Sequence, residues 1–251
     1  MRLILAALLG LSAAICVAAQ DKSSVKQNTR EPDAPAPFEE RKPEKAAGSS
    51  TVDAESTAEP GVAASYAYEF KQPEFNVSHI LVEHDASGRG RVSFERKGEG
   101  EMIVEPLELS GAALTRITAL WDALRFIDSK DDYQGDKQYP HLGTVRLSMK
   151  QDARERAAEF NWTTNSDAAA LAAEYRRAAD QAMFIFDITV ARESQPLNAP
   201  KVMDHLDWLL SRNGLSDPQQ LVALLRELNT DERIPLIARN HARRLLKKIE
   251  K

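Results

Sequence analysis

The sequence predicts an α+β fold: an antiparallel sheet built from hairpins with helices on one face, followed by a C-terminal three-helix segment. Three observations predict it. Apolar residues alternate with a period of two in paired segments separated by short turn signals, the pattern of hairpin strands. Segments with helical spacing fill the intervals between those pairs. Beyond Pro196 the alternation stops, and three consecutive segments carry their apolar residues at helical spacing.

The folded part begins near Tyr66. Phe75, Val77, His79 and Leu81 alternate with Asn76, Ser78, Ile80 and Val82, which predicts a strand with one mainly apolar face. Asp85-Ala86-Ser87-Gly88 is a turn signal and Arg91 to Glu95 alternates again, so residues 75–96 read as a hairpin. A third strand follows Gly98-Glu99-Gly100 through Met102 and Val104.

Ser110 suits an N-cap, with Leu109 and Leu114 spaced for a hydrophobic staple. Leu114, Ile117, Trp121 and Leu124 then share one helical face. After a polar loop, 128–140, Val145, Leu147 and Met149 alternate with polar residues. Ala158, Phe160 and Trp162 do the same, giving a second hairpin around Gln151-Asp152. A long helix from Asp167 to Glu193 places Leu171, Tyr175, Ala178, Ala182 and Ile185 on its buried face and stops before Pro196. Hairpins with intervening helices pack as a sheet covered on one side.

In the C-terminal segment, Pro200 suits the first turn of a helix carrying Val202, Met203, Leu206, Leu209 and Leu210, with Gly214 at its C′ position. Asp217-Pro218-Gln219-Gln220 reads as an N-cap, a first-turn proline and a capping-box glutamine ahead of Leu221, Leu224, Leu225 and Leu228. Thr230 is placed to cap the last helix, with Ile234, Ile237, Ala238, Leu245 and Ile249 facing inward.

Two resemblances follow. Leu221-Val222-Ala223-Leu224-Leu225 through Asp231-Glu232-Arg233-Ile234-Pro235, then Ala238 and Ala242 before Leu245, resembles a HEAT-type helical hairpin over about 35 residues. One hairpin is not a solenoid, because such repeats need neighbours to bury their faces. Tyr139-Pro140-His141-Leu142-Gly143-Thr144, Phe160-Asn161-Trp162-Thr163 and Arg233 to His241 resemble a family of uncharacterised exported bacterial proteins. That likeness spans Phe75 to Lys251 and implies an export address, with no activity attached.

The N-terminal end supports the same address. Arg2 precedes a charge-free apolar run from Leu3 to Val17, and Val17-Ala18-Ala19 offers the small residues a signal peptidase needs before Gln20. Residues 1–19 therefore read as a signal peptide cleaved near Ala19, and the mature chain as exported, periplasmic or extracellular. The run is shorter than the roughly 20 residues of a membrane span. Cys16, the one cysteine, would leave with the leader. Its context resembles a lipoprotein box but carries the bulky Ile15 where that box has a small residue. Residues 20–64 are rich in Pro, Ala, Ser, Glu and Lys and read as a disordered linker. The remainder divides into an α+β domain, 65–195, and a helical segment, 196–251.

A formal charge of −5 on 251 residues argues against general nucleic-acid binding. No cofactor or metal motif is present. His79 and His84 are an odd number of residues apart on a strand and point to opposite faces. Asp128, Asp131, Asp132 and Asp136 crowd a loop but break the order of a calcium-binding hand. Trp121, Phe160, Trp162 and Tyr175 read as core, and the sequons at Asn76 and Asn161 lie on strands. His141 is the one weak catalytic candidate, a loop histidine just before a strand with no serine or aspartate tied to it by a motif. Arg239, Arg243, Arg244, Lys247, Lys248 and Lys251 give the last helix a basic face, of which Arg239, Arg243, Arg244 and Lys247 are the candidate contacts to an acidic partner. A solvated face with basic residues at a helix C-terminus is the plainer account.

Two functions remain. One is a non-enzymatic envelope protein that binds a protein partner through its sheet edge or helical hairpin, touching membrane at most peripherally. The other is a hydrolase or small-ligand-binding domain with a cleft near His141.

Overall fold

The computed structural model describes residues Ala64–Lys251. The leader and the linker, save Ala64, lie outside the described residues. Six strands form one antiparallel sheet: β1 (Ser65–Lys71), β2 (Val77–Asp85), β3 (Arg89–Arg96), β4 (Met102–Glu108), β5 (Thr144–Gln151) and β6 (Arg154–Phe160). Their spatial order is β4-β3-β2-β1-β5-β6. β1 to β4 form a meander, and the β5–β6 hairpin joins the other side of β1. β1 is therefore a central strand although the sequence reading assigned it none. Tyr66, Tyr68 and Phe70 alternate with Ala67 and Glu69, in register with His84, Val82 and Ile80 on one side and Met149, Leu147 and Val145 on the other.

The buried face of β2 is the one opposite to the expectation. Ile80, Val82 and His84 point into the core, while Phe75 is exposed and Val77, His79 and Leu81 are half-buried. Both faces of this strand carry aliphatic side chains, so local alternation is ambiguous. Pairing resolves it, because Ile80 lies opposite Phe70 and Phe94, and Val82 opposite Tyr68 and Val92.

α1 (Gly111–Ala123) carries the chain from the edge strand β4 back toward β5. Ser110 caps it, its hydroxyl accepting the Ala113 N–H at 3.2 Å. Ile117, Trp121 and Leu124 are buried, as the spacing predicts. Trp162 lies past the end of β6 and is half-buried against Tyr139 rather than continuing the strand.

α2 (Ser166–Glu193) is capped by Asn165, whose carboxamide oxygen accepts the N–H groups of Asp167 and Ala168, both at 3.0 Å. Its N-terminal part buries Leu171, Tyr175, Ala178 and Ala182 on the sheet and α1. Its C-terminal part buries Phe184, Ile188 and Ala191 in a second cluster with the C-terminal helices. The change of partner turns the buried face, which leaves Ile185 40% exposed where the sequence pattern had it inward.

The second cluster is completed by α3 (Ala199–Ser211), α4 (Val222–Thr230) and α5 (Leu236–Ile249). α3 ends in a Schellman turn with Asn213, not Gly214, in the left-handed position (φ 53°). The Gly214 N–H bonds to Leu209 O and the Asn213 N–H to Leu210 O. Asp217 does cap the turn that follows, accepting the Gln219 N–H at 3.0 Å. Gln220 does not close a capping box. Gln181 of α2 accepts the Asp217 N–H instead, at 2.9 Å, and Gln220 reaches out to Gln181 and to Glu108 O. Thr230 closes α4 by donating to Glu227 O rather than capping α5. Ile237 is 67% exposed, because the inward positions of α5 are Ala238, Ala242 and Leu245.

Candidate functional site

The basic candidates of α5 separate once the helix is placed. Arg243, Arg244 and Lys247 are exposed, and none of the three forms an ion pair among the described residues. Arg243 is steadied by Asn240 Oδ1 at 2.7 Å, a neutral partner. Lys248 is neutralised by Asp207 of α3 at 2.9 Å. Arg239 is half-buried, with its Nε lacking a partner, so it is not part of the open face.

Exposed apolar groups share α5 and its neighbour α3 with these cations. Leu236 and Ile237 are exposed in the first turn of α5, about two turns before Arg243 and Arg244. Trp208 of α3, half exposed, lines a small cleft together with Arg244, Asp204, Asp207, Ser211 and His241. The His205 ring stacks on one part of Trp208 and the Arg212 guanidinium lies 4.7 Å from its ring centre. The indole is thus held rigid while presenting surface to solvent.

His241 was quoted in the sequence only within a longer resemblance. It is buried in the cleft of about 290 Å³, with Nδ1 3.2 Å from Asp204 Oδ1 and Nε2 3.5 Å from Asp207 Oδ2. Its spacing with Ala238, Ala242 and Leu245 was the available signal, since it shares their inward side. Ser211 donates to Trp208 O at 2.7 Å and not to the imidazole, so no hydroxyl is activated there.

The other candidate histidines are placed differently. His141 sits exposed in a 3₁₀ turn, Pro140–Leu142, its ring against Tyr139. The segment is fastened through its backbone: Gln72 Nε2 donates to Pro140 O and His141 O, and the Tyr139 N–H bonds to Asn161 Oδ1. His79 pairs with Glu69 at 2.8 Å on the open face of the sheet. His84, on the other face, is buried beneath Tyr66 and bonded to Tyr175.

The acidic loop is tied up by arginines. Asp128 pairs with Arg154, and Arg156 bonds to Phe126 O and Asp131 O while covering the Phe126 ring at 4.3 Å. Among the described residues no group of three or more His, Cys, Asp or Glu is arranged to hold a metal ion, and no helix is long and apolar enough to cross a membrane. Trp121, Phe160 and Tyr175 pack in the core.

A cavity of about 570 Å³ lies between the β3–β4 end of the sheet and the α2–α3 elbow. Arg96 crosses it to Asp187 at 2.5 Å and covers Phe94 and Phe186. No family model and no curated protein matches this chain.

Proposed function

We propose that this chain is an exported, non-enzymatic envelope protein that acts as an interaction module and meets an acidic protein partner on the outer face of α3 and α5. The observation that carries the reading is the placement of exposed Trp208 in one cleft with Arg244, with unpaired Arg243 and Lys247 on the same helix and exposed Leu236 and Ile237 in its first turn. Tryptophan and arginine are the residue types that dominate binding energy at interfaces, and aliphatic neighbours keep water from them. The three cations carry no carboxylate partner in the described chain, so a carboxylate-rich surface would meet them without first breaking an ion pair. The rigid indole adds contact area at little entropic cost.

The test compares capture from native envelope extract by the full chain and by the Arg243→Glu, Arg244→Glu, Lys247→Glu variant. The expected result is one stoichiometric partner retained by the first and lost by the second, with direct binding that weakens as salt rises. Equal capture by both, or binding indifferent to salt, removes α5 from the interface.

A further inference from the structure

β4 and β6 are the edges of the sheet, and they are finished differently. Along β6 the loop that follows α1 closes in: Asp128 pairs with Arg154, and Arg156 bonds to Phe126 O and Asp131 O. Along β4, among the described residues, no hydrogen bond reaches the outer side between Met102 and Pro106. An uncovered edge is a template for another strand.

The pairing with β3 fixes which groups are free. The Leu109 N–H donates to Gly88 O at 3.0 Å, so these two residues form a hydrogen-bonded pair. Bonded pairs therefore recur at Leu107, Glu105 and Ile103, while Met102, Val104, Pro106 and Glu108 turn their backbone groups outward. Gln220 bears this out, since it donates to Glu108 O at 3.2 Å from beyond the strand. Pro106 has no N–H to expose, which is why a proline is tolerated at such a position. The N–H and C=O groups of Met102 and Val104, and the Pro106 carbonyl, are left open.

The side chains beside this edge are unfilled on both faces. Away from the helices, Val104 is 57% exposed and Met102 37%. On the helix side two recesses, of about 240 and 570 Å³, are both walled by β4 and α2. Leu107, Ala182 and Ile185 line the first, and Ile103, Phe186 and Val190 the second. The charge is of one sign. Glu101 and Glu105 make no ion pair or hydrogen bond among the described residues, and exposed Glu108 meets only exposed Arg89, at 3.7 Å. A second copy paired on this edge about Ile103 would set Glu101 against Glu105, and like charges directly opposite one another are destabilising.

We infer that β4 is a docking edge for an extended basic segment of another protein, which adds to the sheet as a further antiparallel strand. Its residues opposite Met102 and Val104 exchange N–H···O bonds with them and lay apolar side chains against them. Its residues opposite Glu101 and Glu105 are Lys or Arg, with their aliphatic stems toward the α2 recesses and their charges on the glutamates. Main-chain bonds supply the affinity of such strand addition, and the alternate side chains supply its specificity. The edge is separate from the α5 surface and does not depend on it.

The experiment titrates the full chain with acetyl-Lys-Val-Thr-Val-Lys amide and follows backbone amides by NMR. The Met102 and Val104 amides are expected to shift most and to exchange with solvent more slowly in the complex. N-methylation of both peptide valines, whose N–H groups face β4, should weaken binding about tenfold or more. N-methylation of the threonine, whose N–H faces away, should leave it within about twofold. Glutamates in place of the two lysines should weaken binding about tenfold, and the Glu101→Lys, Glu105→Lys variant should reverse that preference, which an unfolded variant could not do. Absence of shifts in β4, equal weakening by the two kinds of N-methylation, or equal binding of the glutamate peptide overturns the proposal. Slow exchange at Met102 and Val104 in the free chain also overturns it, because the edge is then already filled. Dependence on protein concentration would identify that occupant as a second copy, and independence as the residues before Ala64.

Discussion

The Tyr175 hydroxyl donates its proton to His84 Nε2 across 2.8 Å in the centre of the core. Two further hydrogen bonds fix that direction. His84 Nδ1 lies 2.7 Å from Asp85 O, which accepts only, so Nδ1 carries the hydrogen and Nε2 is the acceptor. Trp121 Nε1 donates to the Tyr175 oxygen at 2.9 Å, and Tyr66 stacks on the imidazole. One polar chain thereby joins α1, α2 and β2, with every member satisfied.

Tyr175→Phe leaves His84 Nε2 and Trp121 Nε1 without partners at once. The expected cost is about 2–4 kcal/mol in urea unfolding, more than a single net hydrogen bond contributes. A loss below about 1 kcal/mol would show that the network adds little.

Burial holds the His84 pKa below its ordinary value, against the opposing pull of the Asp85 carbonyl. The neutral ring's contribution is therefore complete above the unfolded-chain value of about 6.5 and is lost as pH falls from there toward the folded-state pKa. Unfolding free energy should drop between pH 7 and pH 5, and His84→Gln should flatten that part of the profile.

Asp231 also loses its contribution as pH falls, but in a lower window and because of charge pairing rather than burial. Arg233 grips its carboxylate at 2.7 and 2.9 Å and holds its pKa well below the usual carboxylate range, with Arg192 of α2 adding a contact at 2.8 Å. A lowered carboxylate pKa gives stability that is present above about pH 3.8 and lost as pH falls below it. Asp231→Asn should cost about 1–2 kcal/mol at neutral pH and show less additional loss under acid. Equal acid sensitivity in both proteins would contradict this.

Gln181→Leu tests the cap supplied from another helix. It removes the acceptor of the Asp217 N–H and should lower stability by about 1 kcal/mol, with faster hydrogen exchange at Asp217. The exchange rate separates a lost cap from a repacked core.

Gly90 faces His84 across β2 and β3, where a Cβ would run into the Glu83 carbonyl oxygen. Gly90→Ala must therefore push the two strands apart. Several kcal/mol of destabilisation, about 2–4, is expected in thermal or urea melts. A near-neutral result would mean that the β2–β3 backbone yields easily.

Much of this fold was legible locally. The Ser110 cap, the Gln151-Asp152 turn and the span of α2 each depend on residues within a few positions of one another. The candidate sites were less so. The basic α5 stripe was readable as a pattern, but Lys248 is neutralised by Asp207 from α3, and Arg239 turns partly inward. Trp208 joins Arg244 only because α3 lies beside α5.

By itself the sequence determined the helices and every strand but β1, since apolar period and cap chemistry are properties of neighbouring residues. It also set the charge of each helix face. The tertiary structure decided the sheet order, the buried side of β2, the turn in the buried face of α2 and the partners of Gln181, Asp231 and Lys248. These choices depend on which distant surfaces lose water together and which buried donors find acceptors, and pairings of that kind are settled across the whole fold at once.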